Sequence, residues 1–387
     1  MELGIFDVRE WQTMVNLSTG RKVEYDSPMV RLVKKVMAQH PYPGDFEMMG
    51  NQWVTDLALE LVRNYDPGFV FLSYSQPYFA IRFNPMAPEK WQALVDNALT
   101  EAQRFIEESG FIPIIVGSGD MIPVEGYMDV SGLDGLAVCS PWSAHYEGVF
   151  HPSERDLEYV KSLSGLQRLV YREEFIRELG GKPSDKDRVP DWVLVAREGF
   201  TFKGMQSSLR PLARIPAHNQ FIPVYSKLGP IKTITDVSPL IEENLKTHKV
   251  ALIMVEGIGV KDFTLPFTPV VNGFSWYTYE PGESQFLALT TGQHQFFNYP
   301  PGLQYWPDDN ENKPYPFSGY FNHLDENALG FRYNGRSIAV GNRSMLMHAT
   351  SGADIALECF ARNLYNHGTM AAILREKEFK EVSRSLL

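Results

Sequence analysis

Six apolar residues in succession, Val250-Ala-Leu-Ile-Met-Val255, lie between Lys249 and Glu256 and constrain the fold more than any other stretch. An amphipathic strand or helix alternates apolar with polar positions, whereas a run without alternation needs apolar cover on both sides. So short a run fits a strand, and its expected setting is the inside of a parallel sheet. It ends in Glu256-Gly-Ile-Gly259, which hands a carboxylate to a turn at the strand's carboxyl end. Open α/β sheets bind their ligands at that edge.

A chain of 387 residues, 44% hydrophobic and 13% aromatic, can bury the core of one large α/β domain with insertions, or of two domains. The net charge of −11 and the lack of a basic run point away from nucleic acid, whose phosphates need clustered Lys and Arg. The segment Met1 to Glu10 has neither the positive nor the apolar region of a signal peptide, and no apolar run reaches the length of a membrane span. Two cysteines, Cys139 and Cys359, make no disulfide framework and have no metal-type spacing. The expectation is a cytoplasmic protein with no membrane and no nucleic-acid partner.

Helical spacing runs from Met29 to Met37 and from Trp53 to Arg63, divided by Pro41-Tyr-Pro-Gly44. Phe69 to Tyr74 reads as a strand, about Pro88 to Glu108 as an amphipathic helix, and Ile112 to Val116 as a second strand ending in Gly117-Ser-Gly-Asp-Met121. Strand and helix follow in residues 165–179, and another strand is read around Trp192. Thr268-Pro269 and Leu287-Ala-Leu-Thr290-Thr291-Gly292 come after the central run, then a long Pro- and aromatic-rich loop. Arg336 to Val340 reads as a strand, and Ser351-Gly-Ala-Asp354 as the cap of a helix carrying Ile355, Leu357, Phe360 and Leu364.

Taken in order, Glu256-Gly257, Thr268-Pro269 and Thr291-Gly292 resemble the opening of the alkaline phosphatase superfamily, in its type I phosphodiesterase and phosphonoacetate hydrolase branch. There a strand ends in Asp-Gly, a Thr-Pro follows, and a nucleophilic Thr or Ser precedes a Thr-Gly pair. The earlier residues resemble that family's later part, a strand, Asp-x-x-x-His-Arg-x-x-Pro, a long helix carrying an Asp, and a strand ending in Asp-His-Gly-Met. Asp66-Pro67, Arg82-x-x-Pro85, Asp96 and Ser118-Gly-Asp-Met121 stand at those places, and Ala217-His218-Asn219 stands at a later Gly-x-His-Gly. Residues 65–250 thus resemble the later part and 250–300 the beginning, an order that is circularly permuted. The resemblance implies an α/β fold with an alkaline-phosphatase-like, mostly parallel sheet and helices on both faces. It implies a single permuted domain over 1–387, with cap or lid segments at about 122–190 and 295–330.

Hydrolysis in that superfamily rests on two divalent metals that activate a hydroxyl and clamp the transition state. The six ligand positions read Glu256, Pro77, Ile81, Ser118, Gly119 and His218 here. Only Glu256 and His218 can donate, since Pro and Ile bind no metal, and two ligands do not build such a centre. The nucleophile's place falls at Gly282, beside Glu283 and Ser284. No metal or other cofactor is expected; the alternative is one divalent ion such as zinc. Glu256, Ser284 and His218 are the candidate catalytic residues, and Ser118, Asp120, Thr291, His294 and Asn298 the candidate ligand-binding ones. Each has a structural alternative: His218 as a bonded loop histidine, Glu256 as a cap or Arg partner, Asp120 as a turn residue, Thr291 as a helix cap. The expected function is that of a divergent superfamily protein that has lost its dinuclear site. Its cleft would serve small-molecule binding, assembly with itself or another protein, or metal-independent chemistry. The alternative is a hydrolase or lyase acting on a phospho-, sulfo- or carboxy-ester-like small molecule with a rearranged site.

Overall fold

The computed structural model describes residues 4–7, 14–16, 22–24, 28–44, 49–139, 143–178, 189–203, 210–294, 338–340, 347, 350–359, 371–374 and 380–381. Their main feature is a 12-stranded sheet. Its order is Thr268–Val271, Phe221–Ser226, Ile112–Gly117, Val250–Val255, Phe69–Tyr74, Ile355–Glu358, Ile338–Val340, Ala371–Leu374, Gly4–Asp7, Met14–Asn16, Lys22–Glu24 and Lys380–Glu381. From Ile112–Gly117 to Ile338–Val340 the neighbours are parallel, so the fold is α/β with a parallel sheet at its centre. Both flanks are antiparallel. On one flank the reason is an insertion: the chain leaves Ile112–Gly117, builds a lobe, and returns beside that strand as Phe221–Ser226.

The six-residue run is the strand with cover on both sides. Val250, Leu252 and Met254 enter one core, with Phe286, Ala288 and Leu289 of helix Glu283–Thr291 and Val237 and Ile241 of helix Val237–Asn244. Ala251, Ile253 and Val255 enter the other, with helices Met49–Tyr65 and Pro88–Ser109. All six are 0% exposed. At roughly 1.5–3 kcal/mol for each fully buried Val, Leu, Ile or Met, this strand alone makes a large apolar contribution. Helix Pro88–Ser109 starts with Pro in its first turn and stops at Gly110, whose left-handed φ of 72° lets its N–H reach Ile106 O.

Residues 351–358 differ from the expected helix. Ile355–Glu358 is a buried strand between Phe69–Tyr74 and Ile338–Val340. Asp354 caps no helix there; its Oδ2 accepts the Gly68 and Phe69 N–H groups at 2.8 and 2.9 Å. A short apolar run does not tell strand from helix by its period, and an open slot beside a parallel strand decided it.

The lobe carries a four-stranded antiparallel sheet, ordered Leu166–Tyr171, Trp192–Ala196, Tyr146–Phe150 and Leu136–Cys139. One face has its own small core, with Met128, Val149, Val160, Leu194 and Phe202. The other face, with Tyr146, Val170, Val193 and Val195, runs into the main core through Tyr277 and Tyr279. Its entry strand Met121–Pro123 pairs with its exit strand Arg214–Pro216. The described strands of this lobe run from Met121 to Pro216, with Phe200–Phe202 pairing back with Gly126–Met128 before the chain leaves. The lid expected at 295–330 lies outside the described residues. Among the described residues no helix is long and apolar enough to cross a membrane.

Candidate functional site

Phe69–Tyr74 and Val250–Val255 are parallel neighbours whose onward connections diverge. From Phe69–Tyr74 the chain passes along Gln76–Phe83 and Pro88–Ser109 to Ile112–Gly117, on the far side of the central strand. From Val250–Val255 it passes first to Thr268–Val271, at the sheet edge on the same side as Ile112–Gly117, and then along Glu283–Thr291 on the opposite face. The carboxyl ends of such parallel strands are the favoured ligand position of an open α/β sheet.

Glu256 stands just past the carboxyl end of Val250–Val255, 0% exposed. The Ser73 hydroxyl donates to its Oε1 at 2.5 Å, and its own N–H donates to Tyr74 O at 3.1 Å. Gly257 follows with φ +79°, and a Cβ there would sit 2.8 Å from Tyr78 Cα, so the turn admits only glycine. The Gly257 N–H donates to Ser118 Oγ at 2.8 Å, and Ser118 N–H returns to Val255 O at 3.1 Å. Gln285, in the first turn of helix Glu283–Thr291, donates from Nε2 to Ser118 O at 3.0 Å and to Asn272 Oδ1 at 3.1 Å. Asn272 donates to Asn219 O and Tyr279 O, and Asn219 Oδ1 accepts the Asp120 N–H at 2.8 Å. Burial pushes the Asp120 carboxyl up, against the opposing pull of the Lys261 N–H and charge. Glu256, Ser118, Asp120 and the residue next to His218 thus belong to one hydrogen-bonded band, although they come from three segments.

His218 ends this band. Its ring stands at 90° to that of His145, with centroids 4.2 Å apart. Burial, with the neighbouring His145, lowers its pKa to about 4, against the raising influence of Glu198 and Glu280. His145 is wholly buried, and its Nδ1 lies 2.9 Å from Glu280 Oε1, bent away from good hydrogen-bond geometry. Glu280 also accepts the N–H groups of Ala144 and His145 at 2.7 and 2.9 Å and the Ser143 hydroxyl at 3.3 Å. Burial alone would raise its pKa; His145 and these donors outweigh it and hold the carboxyl low. Among the described residues, the Nε2 atoms of His145 and His218 and Gln285 Oε1 are buried without a hydrogen-bond partner.

Other candidates lie elsewhere. Ser284 is half-buried in the first helical turn with its hydroxyl bonded to Tyr277. Thr291 sits at the other end of that helix, roughly 10 Å along the axis at ~1.5 Å per residue. Its hydroxyl donates to Leu287 O at 2.6 Å, the behaviour of a capping group. His294 stacks on Tyr279 at 6.1 Å with 7° between the planes. Asn298 lies outside the described residues. Asp96 accepts from Gln92 on an exposed helix face.

Pro77 and Ile81 occupy helix Gln76–Phe83, where Ile81 packs with Tyr78, Phe79 and Met121. Among the described residues no group of three or more His, Cys, Asp or Glu side chains is placed to hold a metal ion. Sequence reasoning missed Ser73, His145, Asn272, Glu280, Gln285 and Glu358, the last being fully buried and in register with Ser73 on the neighbouring strand. Only Glu280 carried a hint, standing just before Pro281-Gly282 at the helix start. The buried band brings together carboxylate, imidazole, amide and hydroxyl groups, the types that take part in proton transfer.

Compared with protein-family models, with curated proteins and with solved structures, the chain finds no match in any of the three.

Proposed function

We propose that this chain is a divergent, circularly permuted relative of the alkaline phosphatase superfamily whose cleft binds a small molecule without a dinuclear metal centre. One observation carries the reading. The strands bearing three of the resembling motifs, Phe69–Tyr74, Val250–Val255 and Ile112–Gly117, lie side by side and parallel. Pro77, Ile81, Glu256 and Ser118 therefore gather at one sheet edge, and Asn219 brings His218 to it. That convergence is what a shared ancestral site would leave behind, and it needs no particular order along the chain. Permutation is further supported by the pairing of Gly4–Asp7 with Ala371–Leu374, which makes strands near the two ends of the sequence neighbours. A cytoplasmic location and self-association or a protein partner belong to the same proposal. The hydrolase or lyase alternative has less support, because the Ser284 hydroxyl is engaged by Tyr277.

The test loads purified protein with zinc and manganese, removes free ions, and measures bound metal together with hydrolysis of bis-p-nitrophenyl phosphate. Less than one equivalent of metal and no hydrolysis are expected. Two tightly bound ions with turnover would overturn the proposal. A Glu256→Gln variant is expected to keep the wild-type circular dichroism and to lose any ligand-induced thermal shift found in a small-molecule panel. An unchanged shift would remove Glu256 from the site.

A further inference from the structure

We infer that the lobe inserted between Ile112–Gly117 and Phe221–Ser226 is a fixed wall and not a moving cap. Residues 272–280 strap it to the parallel sheet, so that lobe and sheet open as one unit. This concerns motion alone and does not depend on what the site binds.

The covalent attachment by itself would allow the opposite. The chain enters and leaves the lobe through Met121–Pro123 and Arg214–Pro216, a ribbon paired over three residues. Lobes and loops that turn about such short hinges close over ligands in many enzymes.

The seam decides against a swing. The lobe sheet turns Tyr146, Val170, Val193 and Val195 toward the body, and each is at most 3% exposed. They share one core with Phe286, Ala288 and Leu289 of helix Glu283–Thr291. Residues 272–280 of the body run along this face. Tyr277 stacks on Tyr146 with centroids 4.6 Å apart, and the Thr278 N–H donates to the Tyr146 hydroxyl oxygen at 3.0 Å. Trp276 meets Phe175 at 5.8 Å, and the Ser275 hydroxyl donates to Glu178 at 3.0 Å. Glu280 closes the strap by accepting the N–H groups of Ala144 and His145 from the lobe.

The strap is also held at its body end. Asn272 donates to Asn219 O, past the point where the lobe ends. Helix Glu283–Thr291 follows, and its Phe286 ring stands edge-on to Phe71 of the parallel sheet at 5.5 Å. Swinging the lobe would wet its apolar face and the aromatic rings of the strap together, and would orphan two buried N–H groups. Folded domains keep only a small net margin over unfolding, and that loss is a large share of it. Parts of a chain move against each other where their interface is small and polar; this one is apolar and continuous with the main core. The seam parts only when the sheet does.

The experiment is native-state hydrogen exchange on the full wild-type chain at pH 7.5, in urea below the unfolding transition. It compares the amides of Ala144, His145 and Thr278, bonded across the seam, with those of Val250–Val255. After correction for intrinsic rates, protection within about tenfold of the central strand and the same dependence on urea are expected, since a shared opening exposes the same surface. Protection more than tenfold lower at the seam, or a flatter urea dependence there, would show the lobe parting by itself and overturn the inference. Urea unfolding followed by circular dichroism and by tryptophan fluorescence, to which Trp192 of the lobe and Trp276 of the strap contribute, is expected to give one coincident transition. Two separated transitions would overturn it as well.

Discussion

Stability toward acid is expected to depend on His218. Its pKa drops from the ordinary 6.5 to about 4 in the folded protein. A base whose folded pKa is depressed favours the native state while it stays neutral, so its contribution is fully present above pH 6.5. Below that the unfolded chain takes up a proton that the folded protein refuses, and stability falls until the folded pKa is reached near 4. At 1.36 kcal/mol per pKa unit the loss at pH 4.5 is at most about 2.5 kcal/mol. The ring is partly exposed, and solvent screening reduces this to about 1–2 kcal/mol. The assay compares urea unfolding of wild type and His218→Gln at pH 7.5 and pH 4.5. Because glutamine does not titrate, the variant should lose about 1–2 kcal/mol less than wild type between the two conditions. An equal loss in both proteins would mean that this imidazole is solvated in the folded state, and the packing against His145 would be refuted.

Two further substitutions probe the architecture. Glu280→Gln must turn an NH2 group toward either Ala144 N–H or the donors of Ser143 and His145, since the carboxylate accepts on both oxygens. Orphaning one buried N–H and weakening the remaining bonds is expected to cost about 2–4 kcal/mol, read as faster amide exchange at residues 143–147; unchanged exchange there would sink the assignment. Gly257→Ala places a Cβ 2.8 Å from Tyr78 Cα at a φ of +79°, so the variant should be recovered mostly insoluble or with a melting temperature many degrees lower, and a wild-type melting curve would contradict the turn geometry.

Much of the frame was legible because apolar patterning is a local signal. The run from Val250 to Val255 demanded cover on both sides, and the alternation of its residues between two cores supplies it. The edge where Glu256 would emerge followed from chain direction. The site was less legible, since His145, Glu280 and Gln285 have no spacing that links them to His218 or Ser118. They meet through a returning lobe and a helix start, and separations along the chain carry no trace of that. Thr291 illustrates the reverse: close in sequence to Ser284, it ends up at the other end of the helix.

The sequence by itself determined that a buried parallel strand delivers a carboxylate to a glycine turn, because six apolar side chains in succession leave water no face to wet. Tertiary structure alone decided what Glu256 would join. Whether Ile355–Glu358 became strand or helix, and which groups came to flank His145 and His218, depended on neighbours distant in the chain. Hydrogen bonds and burial act through space, and only folding sets those distances.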